Sequence, residues 1–326
     1  MRARRGRMRT MKRLAIALAA LASALPASAL AQDGETTKPP SAKEVLDAAP
    51  RSAWQEVRPE DLLIFELNPA PDGSERRIVL QLMREPWSQK WVRNIRKLAK
   101  ARWWDTHSSV YRIAPGFVAQ WGDPDEDRAP LQGLEPVGKD DFTHPLPAVT
   151  QLADPCSDRK LDNSFCDSYA PVASFEDGWP IATDGVRDWP LHCPGMVGVA
   201  RDVDPSTGLG DTLYTIIGHA PRRLDRNLAV VGRVVEGLDL LRTQPPGTGE
   251  MGFYAEGQDP LEIQWARLAS DLPPEARPRF KYLETESGTF AQWLAATGQP
   301  NEFYTTVPSD YDICALTYPV REIEGE

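Results

Sequence analysis

Short apolar segments separated by Pro, Gly and Asp restrict the fold of this chain more than any other feature. The 326 residues include 30 Pro and 23 Gly, and these residue types interrupt helices and sheet ladders. Short runs rich in Val, Ile, Leu and Phe predict β-strands. They occupy residues 62–67, 77–83, 110–113, 117–121, 196–200, 213–217, 228–235 and 261–269. Many short strands with few helices favour a closed barrel or a sandwich, so the chain is predicted to be mainly β.

An amphipathic helix is predicted between the second and third strands, over residues 88–100. The apolar residues of this segment recur at spacings of three or four: Trp91, Val92, Ile95 and Leu98. That spacing places them on one face of a helix. A face of this kind packs against an apolar core.

Polar and Pro-rich segments surround the predicted strands. Residues 32–40 form a polar linker, and residues 41–49 have helical composition. Residues 122–191 are dense in Pro, Asp and Gly and predict a long, elaborated loop region. After a Pro-Pro step, helix-like residues 289–296 and strand-like residues 313–320 predict a small α/β extension at the C-terminus.

The first thirty-one residues have the pattern of a secretory signal peptide. Basic residues run to Arg13, an apolar stretch covers residues 14–25, and small residues after Pro26 suit a cleavage site. A membrane anchor is the alternative, but the apolar stretch is shorter than the roughly 20 residues that a bilayer requires. We therefore expect removal of residues 1–31 and a periplasmic or secreted protein without stable membrane insertion.

The charge of the remaining chain argues against nucleic-acid binding. Lys and Arg number 37 and Asp and Glu number 47, which gives a formal net charge of -10. Seven of the basic residues and none of the acidic ones lie in residues 1–31, so the rest of the chain has 30 basic against 47 acidic residues. A chain of that sign repels a phosphate backbone. We expect no nucleic-acid partner.

Four cysteines are present, and disulfides persist in the oxidising compartments that exported proteins enter. Cys156 and Cys166 bracket a polar stretch that a local disulfide can close, and Cys193 and Cys314 would then pair over a long separation. Four cysteines allow three connectivities, and the sequence alone does not choose among them; the pairing with the local disulfide is the one we favour. A zinc site is not expected, because there is no C-x-x-C and the histidines are scattered.

Residues 110–124, VYRIAPGFVAQWGDP, contain the most informative side chains. In an extended strand, alternation places Tyr111 and Ile113 on one face and Val110 and Arg112 on the other. Arg112 is then a lone cation on a strand face, followed by a Pro-Gly turn and by aromatic, apolar and amide residues. Such an Arg can fix a turn through hydrogen bonds to backbone carbonyls, and the residues alone favour that structural role.

Motifs for cofactors and metals are missing from the sequence. The chain has neither a G-x-S-x-G elbow nor a Gly-rich phosphate loop nor a dinucleotide fingerprint. Residues 202–211 resemble the start of a calcium loop, but Leu213 occupies the position of the bidentate Glu. We interpret that segment as a turn and expect neither a cofactor nor a metal.

The segment around Arg112 resembles the signature of the cyclophilin peptidyl-prolyl isomerases, R-[IV]-x-P-G-F-[MV]-x-Q-x-G-D. Later segments resemble strands of the same family in the same order: CPGMVGVARD at 193–202, DTLYTII at 211–217 and LDRNLAVVGRVVEGLDLL at 224–241. The resemblance implies a cyclophilin-like closed eight-stranded antiparallel β-barrel capped by helices. It covers residues 60–272, with a linker and short helix over 32–59 and an extension over 273–326.

The resemblance also implies function: isomerisation of X-Pro bonds during the folding of exported proteins, without a cofactor. Arg112 matches the catalytic arginine, Phe117 the aromatic floor under the prolyl ring, and Gln120 the amide that orients the arginine. Other positions match the substrate pocket and groove: Val118, Ala200, Thr212, Tyr214, Leu224 and Leu228. The implied partners are unfolded or flexible proline-containing polypeptides, and we expect a monomer.

Departures from the family pattern predict an altered groove. Thr212 stands where the family usually has Gln, Arg223 where many members have Trp, and Leu228 where many have His. Because Arg223 replaces that Trp, we expect a lower affinity for cyclosporin-like ligands. The alternative function is therefore a catalytically weak or inactive module that binds proline segments in the cell envelope.

Overall fold

The structure is a computed structural model that describes residues 38–125, 127–150, 152, 155–156, 163–298, 304–306 and 312–323. The predicted signal peptide, residues 1–31, lies outside the described residues. Pro40–Glu326 forms one unit by its internal contacts. Within the described part of the chain, no helix combines the length and the apolar character that crossing a bilayer requires.

Short strands and a few helices alternate along the chain. The strands are β1 (Trp54–Glu56), β2 (Leu62–Leu67), β3 (Arg76–Leu82), β4 (Ser109–Ala114), β5 (Val118–Gly122), β6 (His144–Pro145), β7 (Ser164–Phe165), β8 (Val172–Glu176), β9 (Trp179–Thr183), β10 (Arg187–Pro190), β11 (Met196–Val199), β12 (Leu213–Ile216), β13 (Val230–Glu236), β14 (Leu261–Leu268), β15 (Phe280–Leu283) and β16 (Val320–Glu322). The α-helices are α1 (Ala42–Asp47), α2 (Gln89–Lys100), α3 (Leu238–Arg242) and α4 (Gly288–Thr297). Within the described residues the strands form three sheets, one of them closed into a barrel.

Eight strands form the closed antiparallel barrel. They follow the order β11, β12, β5, β4, β14, β2, β3 and β13, and β13 pairs with β11 to close it. The first two predicted strands are present as β2 and β3, which pair as a hairpin with Leu62 opposite Gln81 and Leu67 opposite Arg76. The barrel that the sequence pattern and the family resemblance predict is therefore confirmed.

Large apolar side chains fill the barrel and join it to α2. Phe65 on β2 packs edge-on against Trp104 and Trp121, with ring centroids 5.2 and 5.8 Å away. The four residues at helical spacing on α2 are fully buried: Trp91, Val92, Ile95 and Leu98. Each large apolar side chain buried in this way contributes about 1.5–3 kcal/mol. The predicted amphipathic helix is confirmed, and it covers the barrel core.

The region predicted as one long loop, residues 122–191, contains a second antiparallel sheet. Its strands pair in the order β6, β10, β9, β8 and β7. Pro180 and Pro190 lie inside these strands. Gly178 and Gly185 adopt positive φ angles of 82° and 84° in the tight turns between them. Because Pro occurs within these short strands and Gly in the turns between them, composition predicts a loop where the chain forms hairpins.

A third sheet joins segments from both ends of the described chain. β15 pairs with β1 on one side and with β16 on the other, and the sequence analysis predicts neither β1 nor β15. The prediction of a strand over residues 313–320 is wrong. Ile313–Ala315 forms a 3₁₀ helix, because the Asp312 side chain accepts a hydrogen bond from the backbone N–H of Cys314.

The two other predicted helices are confirmed. The helix expected over residues 41–49 is α1, and Ser41 and Glu44 form a capping box at its start. The helix expected over residues 289–296 is α4. Phe290 and Trp293 of α4 are buried and form its inner face.

Both disulfides follow the pairing that the sequence favours. Cys156 bonds to Cys166, which is ten residues away. Cys193, between β10 and β11, bonds to Cys314, which is 121 residues away. The second disulfide therefore ties the start of β11 in the barrel to the C-terminal extension.

Candidate active site

Because β4 contains a bulge, two neighbouring side chains point into the same groove. The pairing of β4 with β5 shifts between Val110 and Arg112. Simple alternation predicts that Val110 and Arg112 share a face, and that expectation is wrong. Val110 and Ile113 are buried in the main core, whereas Tyr111 and Arg112 both line the groove. The extra residue of a bulge has this effect because it re-aims the side chains that follow it.

Arg112 is held by hydrogen bonds on two sides. Its Nε donates to the backbone carbonyl of Met251 at 3.0 Å, and its Nη1 donates to Oε1 of Gln120 at 3.0 Å. Among the described residues, no carboxylate pairs with Arg112, and its Nη2 donates no hydrogen bond. Partial burial lowers the pKa of Arg112 below its ordinary value. The guanidinium is thus fixed in place, has no counter-ion among these residues, and keeps an N–H group free for a ligand in the groove.

The two hydrogen-bond partners of Gln120 fix the orientation of its carboxamide. Its Nε2 donates to the phenol oxygen of Tyr111 at 2.8 Å, and the residue is only 9% exposed. A guanidinium has donors only, so the carboxamide must turn its oxygen towards Arg112 and its nitrogen towards Tyr111. Burial also raises the pKa of the Tyr111 phenol. These three side chains form one continuous set of hydrogen bonds.

Aromatic rings flank the guanidinium. The Phe117 ring centroid lies 5.9 Å from Cζ of Arg112, and the Phe253 centroid lies 4.8 Å from it. Phe253 also stacks on Tyr111, with centroids 6.0 Å apart. Ring faces attract a cation within about 6 Å, so the rings help to hold Arg112 at this position.

The sequence analysis does not identify Met251 or Phe253 as site residues. Both belong to the connection between α3 and β14, where Gly249 precedes Met251 and Gly252 separates the two. Met251 has a φ of 54°, in the left-handed region, and is 64% exposed. In the sequence, the signal for them is limited to a Met and a Phe within a Gly-rich connection.

An apolar wall forms the other side of the groove. A small cluster packs outside the main core: Val118, Tyr214 and Ile216, with Phe117, Ala200 and Leu228 partly exposed at its edge. The pairing of β5 with β12 assembles the cluster, because it places Val118 opposite Ile216. The groove bounded by this wall and Arg112 has a volume of about 960 Å³, enough for several residues of an extended peptide.

The structure brings all nine site residues expected from the sequence to this groove. They are Arg112, Phe117, Val118, Gln120, Ala200, Thr212, Tyr214, Leu224 and Leu228. Arg223, which stands where the family often has Trp, is exposed and is not among the residues that line the groove. One groove thus combines a fixed cation, flanking aromatic rings and an apolar wall.

Comparisons with known proteins agree with this geometry. The family model "Cyclophilin type peptidyl-prolyl cis-trans isomerase/CLD" matches residues 72–244. Cyclophilin AquaCyp293 from Hirschia baltica has a similar structure, with 25% identity and a TM-score of 0.60 over 84% of this chain and 94% of that chain. A Cryptosporidium parvum cyclophilin type peptidyl-prolyl cis-trans isomerase, crystallised in the presence of the dipeptide Ala-Pro, is 12% identical with a TM-score of 0.37, over 64% of this chain and 98% of that chain. A search of curated proteins gave no match.

The family match spans slightly more than half of the chain and includes all nine expected site residues. Met251 and Phe253 follow the matched region, on the side of the groove that holds Arg112. The barrel, the groove and the matched sequence lead to one assignment. The chain belongs to the family of cyclophilin-type peptidyl-prolyl cis-trans isomerases.

Proposed function

We propose that this protein catalyses cis-trans isomerisation of X-Pro bonds in unfolded or flexible segments of exported proteins. The arrangement of Arg112 is the observation that carries the proposal. Gln120 and the carbonyl of Met251 hold the guanidinium, and Nη2 makes no hydrogen bond with any described residue. An N–H group that is fixed in place and makes no hydrogen bond within the protein can donate to a substrate without first breaking an internal hydrogen bond.

The reaction itself requires little more than such a donor. Rotation about the C–N bond faces a barrier of about 18–20 kcal/mol, because the twisted amide loses its resonance. No bond breaks, and the cis and trans forms of X-Pro differ by only about 0.5–1 kcal/mol. A catalyst therefore needs no energy source. It accelerates rotation by binding the twisted amide more tightly than either planar form.

Arg112 can supply that preference for the twisted amide. As the amide twists, the prolyl nitrogen becomes pyramidal and its lone pair becomes available as a hydrogen-bond acceptor. An N–H of Arg112 donates to that nitrogen or to the neighbouring carbonyl, and a bond from a charged donor contributes about 1.5–3 kcal/mol. The planar amide has no free lone pair on nitrogen, so the bond to nitrogen forms only near the transition state.

The apolar wall binds the proline ring in the same proposal. Phe117, Val118 and Tyr214 present apolar surface beside Arg112. Ala200 and Leu224 line the groove where residues flanking the proline would lie. An apolar surface suits the saturated pyrrolidine ring in all three states of the reaction, so the wall contributes to binding more than to rate.

The location and the domain limits are also part of the proposal. We assign residues 60–272 to the isomerase domain, between the segment 32–59 and the extension 273–326, and place the mature monomer in the periplasm or outside the cell. Two disulfides support an oxidising compartment. The signal-like pattern of residues 1–31 supports export.

A second candidate function is the binding of proline-containing segments without useful turnover. Leu228 favours it, because this residue packs on the apolar cluster at a position where many family members carry His. Thr212 likewise lines the groove with a smaller side chain than the usual Gln. Both changes leave fewer polar groups to recognise the twisted amide, whereas the apolar wall is intact.

A protease-coupled assay on Ala-Pro tetrapeptides distinguishes the two functions. For Arg112→Ala we expect kcat/KM to fall by about 10- to 100-fold, the loss of a bond from a charged donor. The control is Arg84→Ala, which removes a guanidinium that is 46% exposed and lies outside the groove. The kcat/KM of Arg84→Ala should equal that of the wild type. If wild type and Arg112→Ala both bind the peptide but neither exceeds the uncatalysed rate, the second function is correct; equal rates above the uncatalysed rate would reject catalysis by Arg112.

A further inference from the structure

A set of buried polar side chains lies directly behind the groove wall. The phenol oxygen of Tyr214 lies 2.8 Å from Nε2 of His192, and Nδ1 of His192 lies 2.9 Å from Oδ1 of Asp225. The exposed fractions of Tyr214, His192 and Asp225 are 4%, 1% and 8%. Tyr214 lines the groove, whereas His192 and Asp225 do not. The hydrogen bonds therefore connect a wall residue to two residues that no ligand in the groove can touch.

The carboxylate at the far end of this set is immobilised. Oδ1 of Asp225 also accepts the backbone N–H of His192 at 3.0 Å, and Oδ2 accepts Nε of Arg222 at 2.6 Å. Arg222 in turn pairs with Asp167 at 2.5 Å. Since each partner is buried and bonded on its other side, Asp225 presents a fixed acceptor to the imidazole.

The direction of each hydrogen bond follows from the chemistry of the groups. An ionised carboxylate only accepts, so Nδ1 of His192 carries a hydrogen and donates to Asp225. In the neutral imidazole Nε2 is then an acceptor, and the Tyr214 hydroxyl donates to it. Burial raises the pKa of Tyr214 above its ordinary value, which keeps the phenol in its donor form.

Gly198 provides the space that the Tyr214 hydroxyl occupies. The two residues lie opposite each other on β11 and β12. A Cβ atom on Gly198 would come within 2.3 Å of Cζ and 2.4 Å of the hydroxyl oxygen of Tyr214, far inside van der Waals contact. The ring is thus confined by the backbone of β11 on one side and held by His192 at its tip.

From this geometry we propose that His192 is a positioning residue of the groove: through the Tyr214 hydroxyl it fixes the aromatic ring of the apolar wall, and it thereby sets the affinity for proline-containing peptides. The inference rests on the proposed function for the nature of the ligand. A wall ring contacts the proline in both planar and twisted states. Loosening it therefore weakens binding and raises KM, while kcat stays nearly constant.

A double-mutant cycle tests this role. Wild type, His192→Leu, Tyr214→Phe and the double variant are titrated with an Ala-Pro tetrapeptide by calorimetry, and KM and kcat are measured in parallel. Each single variant should bind the peptide about three- to tenfold more weakly, as expected for one lost hydrogen bond, with kcat within about twofold. The double variant should bind the peptide no more weakly than the single variant with the lower affinity, because both changes remove the same hydrogen bond between His192 and Tyr214.

A merely structural role for His192 gives a different cycle. His192→Leu would then weaken binding by the same factor in the Tyr214→Phe background as in the wild type, and that additive result would overturn the proposal. His192→Gln keeps an acceptor within reach of the Tyr214 hydroxyl, and it should bind within about twofold of wild type. Circular dichroism establishes that each variant folds. If His192→Leu does not fold, unchanged peptide binding by Tyr214→Phe would still refute the proposal.

The binding measurement separates this inference from the proposed function. If the wild type shows no turnover but His192→Leu weakens peptide binding as described, the isomerase function fails and the positioning role stands. If the wild type turns over and His192→Leu binds the peptide like wild type, the positioning role fails and the isomerase function stands.

Discussion

Arg112 and Gln120 lie opposite each other on β4 and β5, and Nη1 of Arg112 donates to Oε1 of Gln120 at 3.0 Å. The other end of the carboxamide donates to the Tyr111 hydroxyl at 2.8 Å. Gln120 is therefore fixed at both ends, and its oxygen can face only the guanidinium. Gln120 therefore helps to set the position of the cation in the groove.

Replacing Gln120 by Ala should lower catalysis through Arg112. The guanidinium keeps its bond to the Met251 carbonyl but can rotate about it, so its N–H groups meet the twisted amide less often. We expect kcat/KM of Gln120→Ala to fall by about tenfold, the equivalent of about 1.4 kcal/mol, in the tetrapeptide assay. Gln264→Ala removes an exposed amide from β14 and should leave the rate unchanged. A wild-type rate for Gln120→Ala would show that Arg112 needs no such support.

Adding a methyl group at Gly198 should destabilise the barrel wall. The new Cβ would overlap the Tyr214 ring at 2.3 Å, and overpacking of a tight site costs about 1–3 kcal/mol. Urea unfolding of Gly198→Ala measures this loss. The matched control is Gly288→Ala at the start of α4, where an added Cβ meets no atom within 4 Å. We expect its stability to equal or exceed that of the wild type, so equal losses in both variants would exclude the steric explanation.

The sequence was sufficient to predict the barrel, the helix α2 and the expected groove residues. Apolar runs and the family resemblance located β2, β3 and the segment around Arg112, and those strands pair as expected. The face on which Arg112 lies was not predictable. A one-residue bulge reverses the alternation, and neither composition nor periodicity marks where a register shift occurs.

Contacts between distant segments explain the other residues that were not predicted. Met251 and Arg112 are 139 residues apart, yet the Met251 carbonyl holds the guanidinium. His192 and Tyr214 also meet only after β11 and β12 have paired. Such contacts depend on the closure of the barrel. Local patterns report on local structure, and they do not specify which loop reaches the groove.

The two disulfides should contribute unequally to stability. In the chain-entropy model the closed loop of 121 residues between Cys193 and Cys314 contributes about 5 kcal/mol. The loop of ten residues between Cys156 and Cys166 contributes about 3 kcal/mol in the same model. Paired Cys→Ala variants of each disulfide, unfolded in urea, should therefore differ by about 2 kcal/mol. A larger loss from the short loop would mean that native contacts, rather than loop closure, dominate the effect.

Glu135 should make stability depend on pH in the acidic range. Its carboxylate lies 2.8 Å from Arg93 and 3.4 Å from Lys97 on α2, and the hydrogen bond from Arg93 is the main cause that lowers the pKa of Glu135 from 4.5 to about 2. Because the pKa is lower in the folded protein, the ionised form stabilises the fold above about pH 4.5, and this contribution is lost as the pH falls towards 2.

Glu135→Gln should consequently lower the free energy of unfolding at neutral pH by less than about 1 kcal/mol, since the Glu135 side chain is 31% exposed and the Arg93 side chain 44% exposed, so solvent weakens the pair. The difference from wild type should shrink between about pH 4.5 and pH 2, as followed by urea unfolding at a series of pH values. Glu275→Gln changes an exposed carboxylate with no ion pair among the described residues, and its curve should follow the wild type throughout. A Glu135→Gln difference that persists unchanged near pH 2 would assign the effect to the shape of the side chain, because the stabilisation from the charge of Glu135 is largely lost at that pH.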